Sequence, residues 1–547
     1  MNARPNLADL DRALGAARHP ALLLPTELKA GGVDPLGLRQ VNLDLMAAAW
    51  PDFNNVTARI RPYVFMAWAW WKAREVFESR GQAATRADDL QALVDRWEVL
   101  FLWSHLLAEA EVGLPGRNVL TKYLPRPRDG RSYRFGGAEW DKLRSSRRWS
   151  TALMAPIQYG PSIKALRWLE PRPAGTFAPS TDAMPAVRAF EEAVGRRLPA
   201  ELLAPGDLSI TPEEALALYG LWDVTAPTEV ERDTFRALFL DAGLRPGARL
   251  AAARRRALLL VRSVLRQNRD SLSEAEVRRA LASGRLRSGA VVDGPEADRG
   301  TLLLFGALQA RQLQRLALEA MLSWILGRIP AGEAVGSDDL VRDADAAARA
   351  VEEGADASSV GGYLALAAER GGRDGWPAAC AYREETDVLF LMRALAIAQD
   401  EGGQRVPGLA LRALAYTDAM AAGLRAAGLE GAARGHLGGH PDRLPLDRAS
   451  RRLAALSGRP MRELWREVIL SWVLAQHVRW SIARNGDGTQ RLRLALDEGG
   501  WTRLRSGPAG IFGATPDRLW AALSLSADCG ILTMIQGGDG SRMYATS

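Results

Sequence analysis

Apolar positions along this chain recur mostly at helical spacing, and strand-like alternation is confined to its last part. Leu7, Leu10 and Leu14 set a short amphipathic helix near the start. A helix is predicted after Asp34-Pro35, through VNLDLMAAAW. Asn54, Asn55 and Thr57 are cap-type residues ahead of a longer helix, in which Phe65, Trp68 and Val76 share a face while Trp70 points to the other side. Leu90, Leu93, Trp97, Phe101 and His105 continue the three-to-four rhythm between Asp88 and Glu111. The rhythm breaks over 113–149, which is rich in Gly, Pro and Arg, and over the Pro-rich 170–210. Helices resume at three capping-box signatures, Thr211 to Glu214, Thr228 to Glu231 and Ser273 to Glu276. A long apolar helix over 301–329 follows, then helices over 386–400, 407–426 and 461–484. Near the end, 491–496 with 501–504, and 531–535 with 542–546, read as two hairpins, with a helix from Thr515-Pro516 to about Asp528 between them.

The expected fold is therefore mainly α, a multi-domain helical protein with a winged-helix-like α+β domain at its C-terminal end. Its 547 residues suggest about three to four domains. They divide into a Trp-rich helical domain with a basic loop over 1–165, a Pro-rich linker over 166–210, an Arg-rich helical domain over 211–330, an Ala/Gly-rich helical region over 331–460, and the winged-helix-like domain over 461–547.

Composition narrows the classes. Apolar residues make up 47% and charged residues 25%, values of an ordinary folded chain. Cys380 and Cys529 are too few for a disulfide framework or a multi-cysteine metal site, and both read as buried core thiols. No apolar run approaches the ~20 residues of a membrane span, and the start lacks the pattern of a signal peptide. A soluble, cytoplasmic protein without a membrane partner is expected.

The last lysine is Lys164, so no Walker A loop exists. Glu27-Leu28-Lys29 alone has the acidic-x-Lys spacing of a nuclease core, without a strand around it. The loop Arg434 to His440 carries His436 and His440, but its glycines oppose the helix a metal pair would need. His105 reads as a satisfied core histidine, and the acidic groups at Asp343, Asp345, Glu384, Glu385 and Asp387 as helix surface. No catalytic residue, cofactor or metal is assigned.

What remains is cationic. The net charge is +7, concentrated in two segments. From Arg117 to Trp149 ten Lys and Arg face three carboxylates, with Tyr123, Tyr133, Phe135, Trp140 and Trp149 interleaved. Guanidiniums for phosphate and aromatic faces for bases are what nucleic-acid grooves use. Arg117, Arg126, Arg128, Arg131, Arg134, Arg147 and Arg148 are the candidates here. Between Arg245 and Arg287 twelve Arg face three carboxylates, and Arg255, Arg262, Arg266 and Arg269 fall on one face of an amphipathic helix. The rival role for this second group is pairing with the acidic stretch 338–356 or with a partner subunit.

Two further patterns stand at opposite ends of the chain. One is Asp34-Pro35-Leu36-Gly37 with Asn54-Asn55-Val56-Thr57-Ala58-Arg59-Ile60-Arg61-Pro62-Tyr63 and Trp68. The other is Trp472, His477, Arg491-Leu492-Arg493 and Glu498-Gly499-Gly500. Together these resemble a family of bacterial proteins encoded beside helicases and nucleases in anti-phage defence islands. The resemblance covers about a third of the chain, and here Pro62 intrudes between the second Arg and the Tyr. It implies a component of a multi-protein antiviral system and supplies no catalytic residues. Asn54, Thr57, Arg59 and Arg61 are expected to serve structure, as buried polar groups that need partners. The leading expectation is a non-enzymatic subunit bound to DNA, duplex included, and to other subunits such as a helicase or nuclease. A divergent metal-dependent nuclease and a protein–protein adaptor for a helicase or ATPase are the alternatives.

Overall fold

The computed structural model describes residues 34–81, 86–110, 113–240, 249–268, 270–293, 299–371, 387–428, 441–484, 491–504, 510–537 and 540–547. The helix at Leu7 to Leu14, the tripeptide at 27–29, Cys380, Glu384, Glu385, the loop 434–440, Arg245 and Arg269 lie outside them. Within them the protein is mainly α, and its ten strands form four small antiparallel sheets.

Two hydrophobic cores organise the chain. α1 (Arg39–Ala49) lies between them, with Leu45 and Met46 in one and Ala49 in the other. α2 (Arg61–Glu78) and α3 (Ala87–Leu107) build the first core. Phe65 stacks on Phe101 with centroids 4.4 Å apart, and Trp68 lies 5.3 Å from Trp97. Buried indoles need a partner for N–H. Trp68 donates to Glu191 (2.7 Å), Trp97 to the Leu202 carbonyl (2.7 Å) and Trp222 to Ser104 (2.8 Å). The cap-type residues before α2 do not cap it: Asn54 and Thr57 bond one another in a turn, and α2 begins at Arg61 with Pro62 in its first turn. A proline there forfeits no helical hydrogen bond, so it fits the helix start.

The Pro-rich region expected as a linker is packed structure. β1 (Tyr133–Phe135), β2 (Leu169–Pro171), β3 (Phe177–Pro179) and β4 (Leu208–Ile210) pair as β1 with β4 and β2 with β3. α4 (Met184–Ala193) between them buries Val187 and Phe190 in the first core. The prolines fall where a missing N–H costs nothing: Pro185 in the first turn of α4, Pro171 and Pro179 at the ends of a two-stranded ribbon.

The rest of the chain shows one topology twice. α5 (Glu229–Leu240) precedes α6 (Arg249–Gln267), β5 (Leu272–Ser273) and α7 (Glu274–Ser283). Then come α8 (Arg299–Arg328), β6 (Ala334–Val335), α9 (Ser337–Val351), α10 (Val388–Asp400) and α11 (Val406–Ala426). A helical stretch over 461–483, wound as a π-helix between Glu467 and Leu474, leads to β7 (Leu494–Asp497) and β8 (Gly500–Arg503). Last are α12 (Leu519–Asp528), β9 (Leu532–Gln536) and β10 (Arg542–Thr546). The first sheet runs β5-β10-β9 and the second β6-β8-β7. Each begins as helix, two-residue strand, helix, and ends as helix, hairpin. The second unit lies within the stretch of chain that interrupts the first.

The expected boundaries change accordingly. Residues 461–547 are not a self-standing domain, because each hairpin takes its third strand from far upstream. Leu494 and Trp501 sit in the second core, whereas Leu519 to Tyr544 sit in the first. Residues 211–330 are likewise divided, with Phe305 in the first core and Leu308 in the second. The physical reason is that an isolated hairpin is marginal in water and needs a third strand or a helix behind it.

Residues 510–517 join the two units along α8. Ser323 donates to the Gly510 carbonyl (2.7 Å) and Arg315 to Gly513 (2.8 Å). Gln312 donates to the Thr515 carbonyl (3.0 Å) and accepts its N–H (3.1 Å). Helix rise and extended-chain rise make this register possible: from 312 to 323 a helix advances ~16 Å, as does an extended chain from 510 to 515. A polar stripe on an otherwise apolar helix thus serves as a receptor for backbone. The buried Arg315–Glu319 pair (2.7 Å) belongs to the same stripe, and burial pushes Glu319 up to about 7.

Candidate nucleic-acid interface

The basic segment 113–149 packs on α3 and β4 through its aromatic residues. Tyr133, Phe135 and Trp140 are buried, with Phe135 5.1 Å from both neighbouring rings. They anchor the segment after Arg131, while buried Leu120 and Leu124, and the Pro125 carbonyl bonded by Trp103 (3.2 Å), anchor the part that carries Arg117 to Arg131. Arg117, Lys122, Arg126, Arg128, Arg131, Lys142 and Arg148 are exposed. None of these seven has a carboxylate within ion-pair distance among the described residues.

Three cations of the segment are spoken for by the protein itself. Arg134 is exposed but paired with Asp207, and Arg144 pairs with Asp95 (2.7 Å). Arg147, a phosphate candidate by sequence, is 3% exposed and paired with Glu98. It is a structural residue. Trp140, Leu143 and Arg147 share one buried helical face, a spacing that the sequence already displayed. The segment's surplus of seven positive charges therefore falls to four.

The second segment divides in the same way. On α6, Ala251, Arg254, Ala257, Leu258, Val261 and Val264 face inward. Arg254 is buried and pairs with Asp52. Arg262 and Arg266 are exposed and Arg255 is half-buried on the outer face, where Leu259 joins them at 42% exposure. Arg278 is held by Glu274 and Asp517, Arg279 by Asp387, and Arg287 by Glu276 (3.2 Å). Among the described residues the acidic stretch 338–356 does not neutralise this segment. Its carboxylates pair elsewhere: Asp338 with Arg466, Asp343 with Arg328, and Glu352 with Arg370 and Arg412.

The motif at the start of α2 is a structural clasp. Asn54 donates to the Gln158 carbonyl (2.7 Å). Arg59 pairs with Asp528 (2.7 Å) at the end of α12. Arg61 lies against the buried Glu231 (3.7 Å) and donates to the Asp223 carbonyl. Burial draws the Arg61 guanidinium down and Glu231 up from their ordinary values.

The two terminal sequence patterns meet in space. All four carbonyls of Asp34-Pro35-Leu36-Gly37 are held from the far end of the chain. Trp480 donates to Asp34 (3.0 Å), His477 to Pro35 (3.0 Å), Gln476 to Leu36 (2.7 Å) and Arg443 to Gly37 (2.6 Å). Gly37 has φ +73°, and a Cβ there would lie 2.5 Å from the Trp480 ring, so only glycine fits. The other His477 nitrogen accepts the Arg493 N–H (3.0 Å), which fixes the neutral tautomer. Burial holds His477 down at about 4. A depressed histidine contributes stability above its unfolded value near 6.5 and loses it as pH falls through the folded value. Wild type is therefore expected to lose stability relative to His477→Gln between about pH 6.5 and 4. Urea midpoints across that range check it, and parallel curves would contradict it.

His105 is a satisfied core histidine, donating to Phe101 (2.7 Å) and accepting from Val224 (3.0 Å). Cys529 is fully buried, and burial pushes its thiol up to about 12. Among the described residues no cluster of His, Cys, Asp or Glu is placed to hold a metal ion, and no helix is long and apolar enough to cross a membrane. Sequence reasoning missed the buried guanidiniums that cap backbone. Arg96 donates to the carbonyls of Leu202, Ala204 and Gly206, and Arg311 to those of Arg443 and Leu444. Burial brings them down to about 10 and about 9. No protein-family model matches the chain, and neither does any curated protein or solved structure.

Proposed function

We propose that this protein is a nucleic-acid-associated subunit of a bacterial antiviral defence system, acting by binding rather than by catalysis. The observation that carries the binding role is the outward set Arg117, Arg126, Arg128 and Arg131, unpaired among the described residues and carried on a segment anchored by buried Leu120, Leu124 and Tyr133. Unpaired surface guanidiniums on an anchored loop are suited to phosphate. The outer stripe of α6, with Arg262 and Arg266 exposed, is a second cationic surface.

We read the two helix–strand–helix, helix–hairpin units as winged-helix-like, since both share that order and the sheet order of that fold. In the first unit α12 buries Leu519 and every residue from Ala521 to Ser526, so it cannot lie in a groove. The unit then acts as a brace, and its wing β9–β10 faces outward with Met534 and Ile535 exposed. The defence setting, with partners such as a helicase or nuclease, rests on the resemblance of the terminal patterns.

The test is binding of the full chain to labelled duplex and single-stranded oligonucleotides, followed by fluorescence anisotropy with magnesium and with chelator. Binding at roughly micromolar concentration, with the oligonucleotide left intact, is expected. Absence of binding at low salt overturns the reading, and cleavage abolished by chelator replaces it with the nuclease alternative.

A further inference from the structure

Of the large apolar side chains among the described residues, Trp149 is the most exposed, at 68%. Most other indoles among the described residues are buried, and Trp50, Trp68, Trp97, Trp103, Trp168 and Trp222 are at or near zero exposure. Leaving an indole in water forfeits a large burial gain. Nor is it loosely held. The backbone N–H groups of Ser150, Thr151 and Ala152 all donate to the Arg147 carbonyl, and Gln158 donates to the Ser150 carbonyl (2.7 Å). Arg147 is itself locked on Glu98, and Glu98 also accepts the Leu153 N–H (2.9 Å). The turn that displays Trp149 is therefore rigid.

Its surroundings are cationic. The Arg148 guanidinium lies 5.3 Å from the Trp149 ring centroid. Gly116 abuts this turn closely enough that a Cβ on it would sit 3.3 Å from the Thr151 carbonyl. That packing sets exposed Arg117 beside the same turn. A flat aromatic face backed by a guanidinium and flanked by cations matches a base with its phosphates.

We propose that Trp149, with Arg148 on its ring, is a stacking platform for an unpaired base, so that the cationic loop takes single-stranded nucleic acid in preference to duplex. The inference rests on the binding role proposed above. Bases inside a duplex are stacked on one another and cannot reach the indole, whereas every unpaired base offers a π-face. A protein partner would instead bury the indole in an apolar pocket of its own and would confer no preference between strands.

The experiment compares wild type, Trp149→Ala and Trp149→Phe, each as the full chain, on oligothymidylate and on a duplex of equal length. Loss of one stacked base predicts that Trp149→Ala weakens oligothymidylate binding roughly 5- to 150-fold. Duplex affinity, salt slope and melting temperature should stay as in wild type, because the side chain is exposed and carries no charge to meet phosphate. Trp149→Phe should recover most of the loss. If wild type binds both ligands alike and Trp149→Ala changes neither, this inference falls while the binding role stands. If Trp149→Ala weakens both ligands equally, the stacking role falls as well. If wild type binds neither, the binding role itself is lost.

Discussion

Replacing Arg117, Arg126, Arg128 and Arg131 together by alanine is expected to weaken nucleic-acid binding by about two to three orders of magnitude near 0.15 M salt. Each guanidinium that meets a phosphate releases condensed counterions, and each guanidinium removed forfeits that release. The four residues are chosen because the structure leaves them exposed and without carboxylate partners among the described residues. Arg134, their neighbour in sequence, is bound to Asp207, so adding Arg134→Ala should deepen the loss little. The variant should melt like wild type, since none of the four side chains is buried. Anisotropy at fixed salt gives the affinity. A change under about threefold would take the loop out of the interface.

Arg147→Met is expected to do the opposite, costing about 3–5 kcal/mol of stability while the folded protein still binds. Arg147 and Glu98 are both 3% exposed as side chains, and burial already drives Glu98 above the usual carboxylate range. Removing the guanidinium leaves that carboxyl without its compensating charge. Glu98 also holds the Leu153 N–H, so the turn carrying Trp149 depends on the same pair. Adding Glu98→Gln should restore part of the loss, because no buried charge then remains. Urea denaturation measures both variants. A cost under about 1 kcal/mol for Arg147→Met would mean that the pair is not buried as described.

These two predictions separate residues that look alike in sequence, and they show what could be read there. Helical patterns placed the elements of both cores well, from Arg61–Glu78 to Val406–Ala426. The three capping boxes form as read, at Thr211 with Glu214, Thr228 with Glu231, and Ser273 with Glu276. Both hairpins form within a few residues of their expected ends. The partners of those hairpins were not legible. β5 and β6 have two residues each, too few to show any alternation, and they lie far upstream of the strands they complete, β5 at 272 pairing at 544 and β6 at 335 pairing at 501. The same limit hid the domain plan, because core membership depends on that long-range pairing.

For the candidate interface, charge density was legible and charge partnership was not. Ten cations between Arg117 and Trp149 look equivalent by composition, yet three face carboxylates supplied by other elements. Helical phase could have set Arg147 and Arg254 apart, since each falls on the buried stripe of its helix. Nothing local could have marked Arg134, whose partner Asp207 arrives only when β4 pairs with β1. The polar stripe on α8 was hidden for a related reason: Gln312, Arg315 and Ser323 acquire their meaning from residues 510–515 laid along them.

Binding affinity measured against salt concentration, for wild type and for the fourfold alanine variant, probes the outward guanidiniums most directly. Wild type should give a straight line of log affinity against log salt. The variant's line on duplex should be shallower by about 3 to 4, near 0.9 for each phosphate left without its guanidinium. Equal slopes for the two proteins, at whatever affinity, would show that these guanidiniums do not meet phosphate.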